Sequence, residues 1–158
     1  MLQGDPKALV VDASVAAKWH LTDEEHTDKA RLLLPGFASG LIDLWAPNYI
    51  RYEVPSAIAA AARGRAPRIS PEQGMEAIGE FLSLGLKTVD TAELISDAYL
   101  LVHRHDCAFY DALYLALAQI LDAPLITADR KLSQRISELP KVIWIGDYSP
   151  PTPNDPLF

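Results

Sequence analysis

The sequence predicts an α/β protein built on a central parallel sheet of about five strands, and three observations carry that expectation. Short apolar runs rich in β-branched residues alternate with longer stretches of helical periodicity, the pattern of βαβ units. Two of those runs end on an aspartate, where a strand of such a sheet hands over to a helix. The chain has 158 residues, 49% apolar and 22% charged, which suits one compact core and excludes overall disorder.

Each element has a local reason. Ala8 to Val11 is an apolar strand ending at Asp12, and Ser14 opens a helix through Trp19. Thr22 or Asp23 caps a second helix to about Leu34, stopped by Pro35-Gly36. Leu44 to Ala46 is a short strand, and Tyr49 to Arg63 a helix carried by the alanines from Ala57 to Ala62, with Gly64 as its stop. Pro55 inside it predicts a kink or a late start. Ser70-Pro-Glu-Gln is a complete helix opening, with serine as cap, proline in the first turn and Gln73 closing a capping box; Gly85 ends that helix. Leu86 to Val89 is a strand, Thr91 with Glu93 and Leu94 starts a helix to about His103, and Phe109 to Leu121 is a further helix. Pro124 to Thr127 forms a strand, Arg130 to Glu138 a helix and Val142 to Ile145 the last strand. The expected division is a domain over 1–148 and a loose, proline-rich tail over 149–158.

Composition sets the function classes. A single cysteine, Cys107, allows no intramolecular disulfide and no zinc pattern, which favours a reducing compartment. Met1 to Lys7 lacks the basic start and apolar core of a secretory signal, and no apolar run approaches the ~20 residues of a membrane span, so the expectation is a soluble, cytoplasmic protein with no membrane contact. A net charge of -7, from 14 basic and 21 acidic residues, argues against gripping nucleic acid through a broad basic face. A divalent metal could supply the missing local positive charge.

Four acids stand out. Asp12 and Asp129 follow strands, so both should project from the carboxyl edge of the sheet, where ligands bind in such folds. Either alone reads as a helix N-cap. Glu53 and Asp111 each stand among apolar helix residues, where an unpaired charge is costly. Salt bridges to Arg51 or Arg104 are the structural alternative for Asp111, and Arg51 for Glu53. Together the four carboxylates suggest an oxygen-only site selecting Mg2+ or Mn2+, and with it metal-assisted hydrolysis of a phosphodiester by an activated water. Ser14 and Thr127 could orient these acids with their hydroxyls, or serve simply as a cap and a strand residue.

Val10-Val-Asp-Ala-Ser-Val-Ala-Ala-Lys-Trp, the segment from Ala46-Pro through Glu53-Val, Phe109-Tyr-Asp-Ala-Leu-Tyr-Leu-Ala-Leu-Ala and Leu125-Ile-Thr-Ala-Asp-Arg-Lys-Leu resemble, in this order, the PIN-domain ribonucleases of VapC type. The resemblance spans roughly residues 8 to 145, with the Asp111 and Asp129 segments the most specific. It implies a PIN-like three-layer α/β/α fold, Mg2+ or Mn2+ as cofactor, endoribonuclease activity on RNA, a toxin role restrained by a small antitoxin protein, and a homodimer. By that resemblance Asp12, Glu53, Asp111 and Asp129 are the catalytic and metal-binding residues. Two features depart from the pattern: Ser56 after Pro55, where such proteins often carry asparagine, and the tail.

Arg63, Arg65 and Arg68 at a helix end, and Arg130, Lys131 and Arg135 after Asp129, could each meet an RNA phosphate backbone, with solvated surface charge the more common explanation; Arg130 and Lys131 are the expected RNA contacts because they open the helix directly beside the proposed metal site. His103 and His105 point to different helix faces and read as exposed helix-end residues, and Trp19, Trp45 and Trp144 as core or interface residues. The competing readings are a metal-dependent phosphatase or receiver-like α/β domain and a catalytically inactive PIN-like module that binds RNA or protein. The first two want a further acid where the chain has Ser14, or an acidic pair with a terminal lysine; the last differs only in chemistry.

Overall fold

The computed structural model describes residues 5–138 and 140–152. Strand β1 (Lys7–Val11) leads into helix α1 (Ala13–Ala16), which tightens into a 3-10 turn over Ala17–Trp19. Helices α2 (Thr27–Arg31) and α3 (Leu33–Ala38) precede β2 (Ile42–Pro47), and α4 (Ile50–Ala61) and α5 (Pro71–Ser83) precede β3 (Lys87–Val89). A 3-10 turn over Thr91–Leu94 opens α6 (Ile95–His105), followed by α7 (Phe109–Leu121), β4 (Leu125–Thr127), α8 (Arg130–Arg135) and β5 (Val142–Trp144).

The five strands form one parallel sheet in the order β3-β2-β1-β4-β5. The chain therefore builds outward from β1 to β3 on one side, then returns to the other side for β4 and β5. The strand order reverses between β1 and β4, and that crevice is where open α/β sheets bind ligands. Register fixes its contents: Val10 faces Leu125, Val11 faces Ile126, and the Asp12 N–H donates to the Ile126 carbonyl at 3.0 Å. Asp12 and Thr127 consequently leave the sheet side by side.

Helices flank the sheet, and α7 packs on β1 and β2 because nearly all of it is apolar: every residue from Ala112 to Ala118 is buried. Trp19 lies in the same core, 4% exposed, with its indole N–H donating to the Ala30 carbonyl at 2.9 Å. The capping box at Ser70 forms in both halves, Gln73 N–H to Ser70 Oγ at 3.1 Å and Ser70 N–H to Gln73 Oε1 at 2.8 Å. Leu84 ends that helix and Gly85, at φ +74, takes the left-handed step that a side chain would resist.

The region after α1 departs from expectation. Instead of one helix from residue 22 to Leu34, α2 starts only at Thr27, behind His26 at φ 59, and α3 runs straight through Pro35-Gly36. Pro35 falls in the first turn of α3, where its missing N–H has no helical acceptor to lose, so proline there is permitted rather than terminating. Asp23 does not cap because Arg68 holds both its oxygens, at 2.6 and 2.7 Å. Helix α4 begins before Pro55, so the late start does not occur; the Arg51 carbonyl simply lacks an N–H donor from residue 55. Helix α8 stops at Arg135, because Ile136 leaves it to bury its side chain, 5% exposed. The tail lies in no regular element over 149–152, and its remainder is outside the described residues.

Candidate active site

Asp12 sits at the N-cap position of α1 but does not cap it. Two hydroxyls instead claim the same carboxylate oxygen: Ser14 Oγ donates to Asp12 Oδ2 at 2.9 Å and Thr127 Oγ1 at 2.8 Å. Each hydroxyl oxygen also accepts from backbone, Ser14 from the Ala128 N–H of the opposite segment at 3.1 Å and Thr127 from the Asp129 N–H of its own segment at 3.1 Å. The end of β1 and the end of β4 are thereby tied together through one buried carboxylate. Burial raises the pKa of Asp12, and the hydroxyl donors oppose the rise without cancelling it.

Asp129, in contrast, is the cap that the sequence offered as an alternative: its Oδ1 accepts from the Leu132 N–H at 3.0 Å and starts α8. Helices α4 and α7 bring the other two acids to the same edge. Glu53 Oε1 accepts from the Tyr114 hydroxyl at 2.7 Å. Its pKa is pushed up to about 7, by desolvation first and then by the charges of Asp12 and Asp111, with the Tyr114 bond acting the other way. The pKa of Asp111 is pushed up to about 6 by desolvation and by Asp12 and Asp129, partly relieved by Arg135. None of the four carboxylates makes an ion pair among the described residues, so the bridges to Arg51 and Arg104 that would have neutralised Asp111 or Glu53 are not formed.

These shifts set a pH dependence for stability. A carboxyl whose folded pKa lies above its unfolded one favours folding while protonated, and that contribution is lost as pH rises through the folded value. For Asp111 the window runs from 3.8 to about 6, and for Glu53 from 4.5 to about 7. In a chelator, the expected result is that Glu53→Gln gains thermal stability relative to the parent as pH rises through this window. Parallel melting curves at all pH values would contradict the assigned repulsion.

Tyr114 was not singled out from sequence, although a phenol within a helix as buried as α7 must find a partner and stands three residues after Asp111. The basic groups divide. Arg68 is committed to Asp23 and Glu24, so it is not a free phosphate contact. Arg130 lies over the Trp144 ring, 4.8 Å from its centroid, and both it and Lys131 remain exposed beside Asp129. His103 is exposed and edges onto Tyr99, whereas His105, expected outside, is half-buried with Nε2 enclosed and unpaired. Nothing ties Ser56 to the acids; it is exposed on α4.

Among the described residues no three His, Cys, Asp or Glu side chains form a ready-made metal cage. The donor set nevertheless suits a hard divalent cation. It is made of carboxylate oxygens only, mutually repelling, in no ion pair among the described residues, in a crevice tied rigidly at Asp12.

The PIN domain family profile matches residues 9–137. The chain belongs to the PIN domain family. Ribonuclease VapC3 of Pyrobaculum aerophilum is 32% identical over 132 residues, 83% of this chain and 96% of that protein, which makes this PIN domain one of VapC type. Its fold is shared with VapC20 of Mycobacterium tuberculosis, a sarcin–ricin loop cleaving toxin, at TM-score 0.60 and 19% identity over 80% of this chain and 93% of that one. It is shared equally with VapBC2 of Rickettsia felis, solved bound to a DNA fragment from the promoter, at TM-score 0.60 and 15% identity over 87% and 98% of the chains. No described helix of this PIN domain is long and apolar enough to cross a membrane.

Proposed function

We propose that this PIN domain is an Mg2+- or Mn2+-dependent endoribonuclease, the cytoplasmic toxin of a toxin–antitoxin pair, working as a homodimer. The observation that carries the reading is the set of unpaired, mutually repelling carboxylates at the β1–β4 crevice, in a chain related over most of its length to a ribonuclease VapC. Asp12, Asp111 and Asp129, with Glu53, would hold the cation. When bound, a divalent cation supplies charge to a phosphodiester and activates the attacking water.

The chain's own groups do the rest. Ser14 and Thr127 hold the Asp12 carboxylate in one orientation by taking Oδ2 between them. Tyr114 donates to Glu53 at Oε1 and so fixes the orientation of that carboxylate. Arg130 and Lys131, exposed beside Asp129, would meet backbone phosphates. The small antitoxin protein would satisfy the same acids with an arginine or lysine, since guanidinium pairs bidentately with carboxylate; the two-component VapBC fold neighbour supports a partner of this kind. The deciding experiment incubates the purified chain with end-labelled RNA. Cleavage that appears with Mn2+ or Mg2+ and stops with chelator is the expected result, and intact RNA across structured and unstructured substrates would refute the reading.

A further inference from the structure

Beyond the acids, α4 and α7 present a second feature that the hydrolysis does not use. Tyr49 stands at the N-cap position of α4, one turn before Glu53, and Tyr110 lies in the first turn of α7, one turn before Tyr114. The two helices are thus bridged twice. At the inner rung Tyr114 donates to Glu53; at the outer rung the Tyr49 and Tyr110 rings lie parallel, 10° apart in plane and 4.9 Å between centroids. Tyr52 leans on the same group at 6.2 Å from Tyr49, and Phe109 edges onto Tyr110 at 6.0 Å.

This aromatic group is both rigid and open. The Tyr49 N–H donates to Thr91 Oγ1 at 3.0 Å, while Asn48 Oδ1 accepts from the Thr91 hydroxyl at 2.6 Å, which pins the start of α4 to the turn before α6. Yet Tyr52 is 72% exposed and Tyr110 54%. Tyr49, Tyr52, Glu53, Ser56, Ala57 and Ala60 line a depression of about 540 Å³, within the range that holds small ligands. One wall of it is a residue of the carboxylate site.

We infer that Tyr52 and Tyr110, held by Tyr49, form a stacking subsite for an unpaired nucleobase of single-stranded RNA next to the scissile phosphate. The inference rests on the ribonuclease reading and adds to it what grips the substrate. With a net charge of -7 the chain has no broad basic face for RNA, so attraction must come in part from a source that does not depend on phosphate charge. Flat aromatic faces provide it, since every base has a face to stack and unpaired bases in loops are recognised in this way. Ser56 in the same depression offers a hydroxyl to a base edge.

The test measures binding of a fluorescent single-stranded RNA carrying 2-aminopurine, in the cleavage-impaired Asp12→Asn background, by anisotropy and base fluorescence. The expected result for Tyr52→Leu with Tyr110→Leu is about tenfold weaker binding or more and loss of 2-aminopurine quenching, at an unchanged salt slope, with Tyr110→Trp retaining both. Should the double variant fail to fold, Tyr52→Leu alone, at the most exposed ring, carries the comparison. Undiminished binding and quenching, while the otherwise unaltered chain still cuts RNA, overturn the subsite alone. Undiminished RNA binding with an altered sedimentation coefficient overturns it in favour of a protein-binding face. Absence of RNA binding and cleavage by the chain altogether overturns the ribonuclease reading and the subsite with it.

Discussion

Replacing Asp12 or Asp111 with asparagine is expected to lower metal-dependent RNA cleavage by roughly a thousandfold or more, while the protein melts at the same temperature or higher. The two halves of that expectation have one cause. Asp12 is 8% exposed, and its charge raises the pKa of both Glu53 and Asp111; Asp111 in turn raises that of Glu53. A charge held against that repulsion is a cost to folding, and asparagine removes it while keeping the shape and an oxygen that can accept the Ser14 and Thr127 hydroxyls. The same charge is what would attract a cation and orient it, so function loses what stability gains. A companion measurement separates ligand from bystander. Mn2+ should raise the melting temperature of the parent by mass action and that of Asp111→Asn by less. Cleavage near the parental rate in either variant would place the chemistry elsewhere, and equal Mn2+ shifts would remove Asp111 from the ligand set.

What the sequence made legible follows from what is local. Five runs became five strands at nearly the expected residues, β1 and β4 because a buried parallel strand announces itself by composition, and α7 spans the residues its unbroken apolar pattern defined. The capping box at Ser70 is a rule about four consecutive residues and holds as written. What failed depended on distant partners. Asp23 looked like a cap and is instead bound by Arg68, which lies across the fold; Pro35 looked like a stop and is harmless because α3 begins two residues before it. The four acids were visible as charges without local reason to be there, yet their different situations were not: Asp12 bonded by hydroxyls, Asp129 capping a helix, Glu53 bonded by Tyr114. Those assignments arise from the strand order, which places β4 beside β1 although most of the chain separates them.

Thr127 is where that long-range pairing can be tested most directly. Its side chain is fully buried, and its single hydroxyl both donates to Asp12 Oδ2 at 2.8 Å and accepts from the Asp129 N–H at 3.1 Å. Thr127→Val keeps the volume and removes both bonds, leaving a buried carboxylate with one donor fewer and a backbone N–H without its acceptor. The expected cost is about 1–3 kcal/mol of stability. Cleavage should fall roughly 10- to 100-fold, as when the supports of a metal-binding carboxylate are removed. The pH profile supplies the sign. The Thr127 bond lowers the pKa of Asp12 against the burial that raises it, so its loss lets the pKa climb further, and the charged form needed at the site is reached only at higher pH. The acidic limb of the cleavage profile should therefore move upward in Thr127→Val, and the stability deficit should be larger near neutral pH than in acid, where Asp12 is protonated in either protein. Thr127→Ser retains the hydroxyl and should restore both the rate and the position of the acidic limb while losing only the packing of one methyl group. If serine fails to restore them, Thr127 acts by filling space at the end of β4, and the hydroxyl bridge between the two strands is not what orients Asp12.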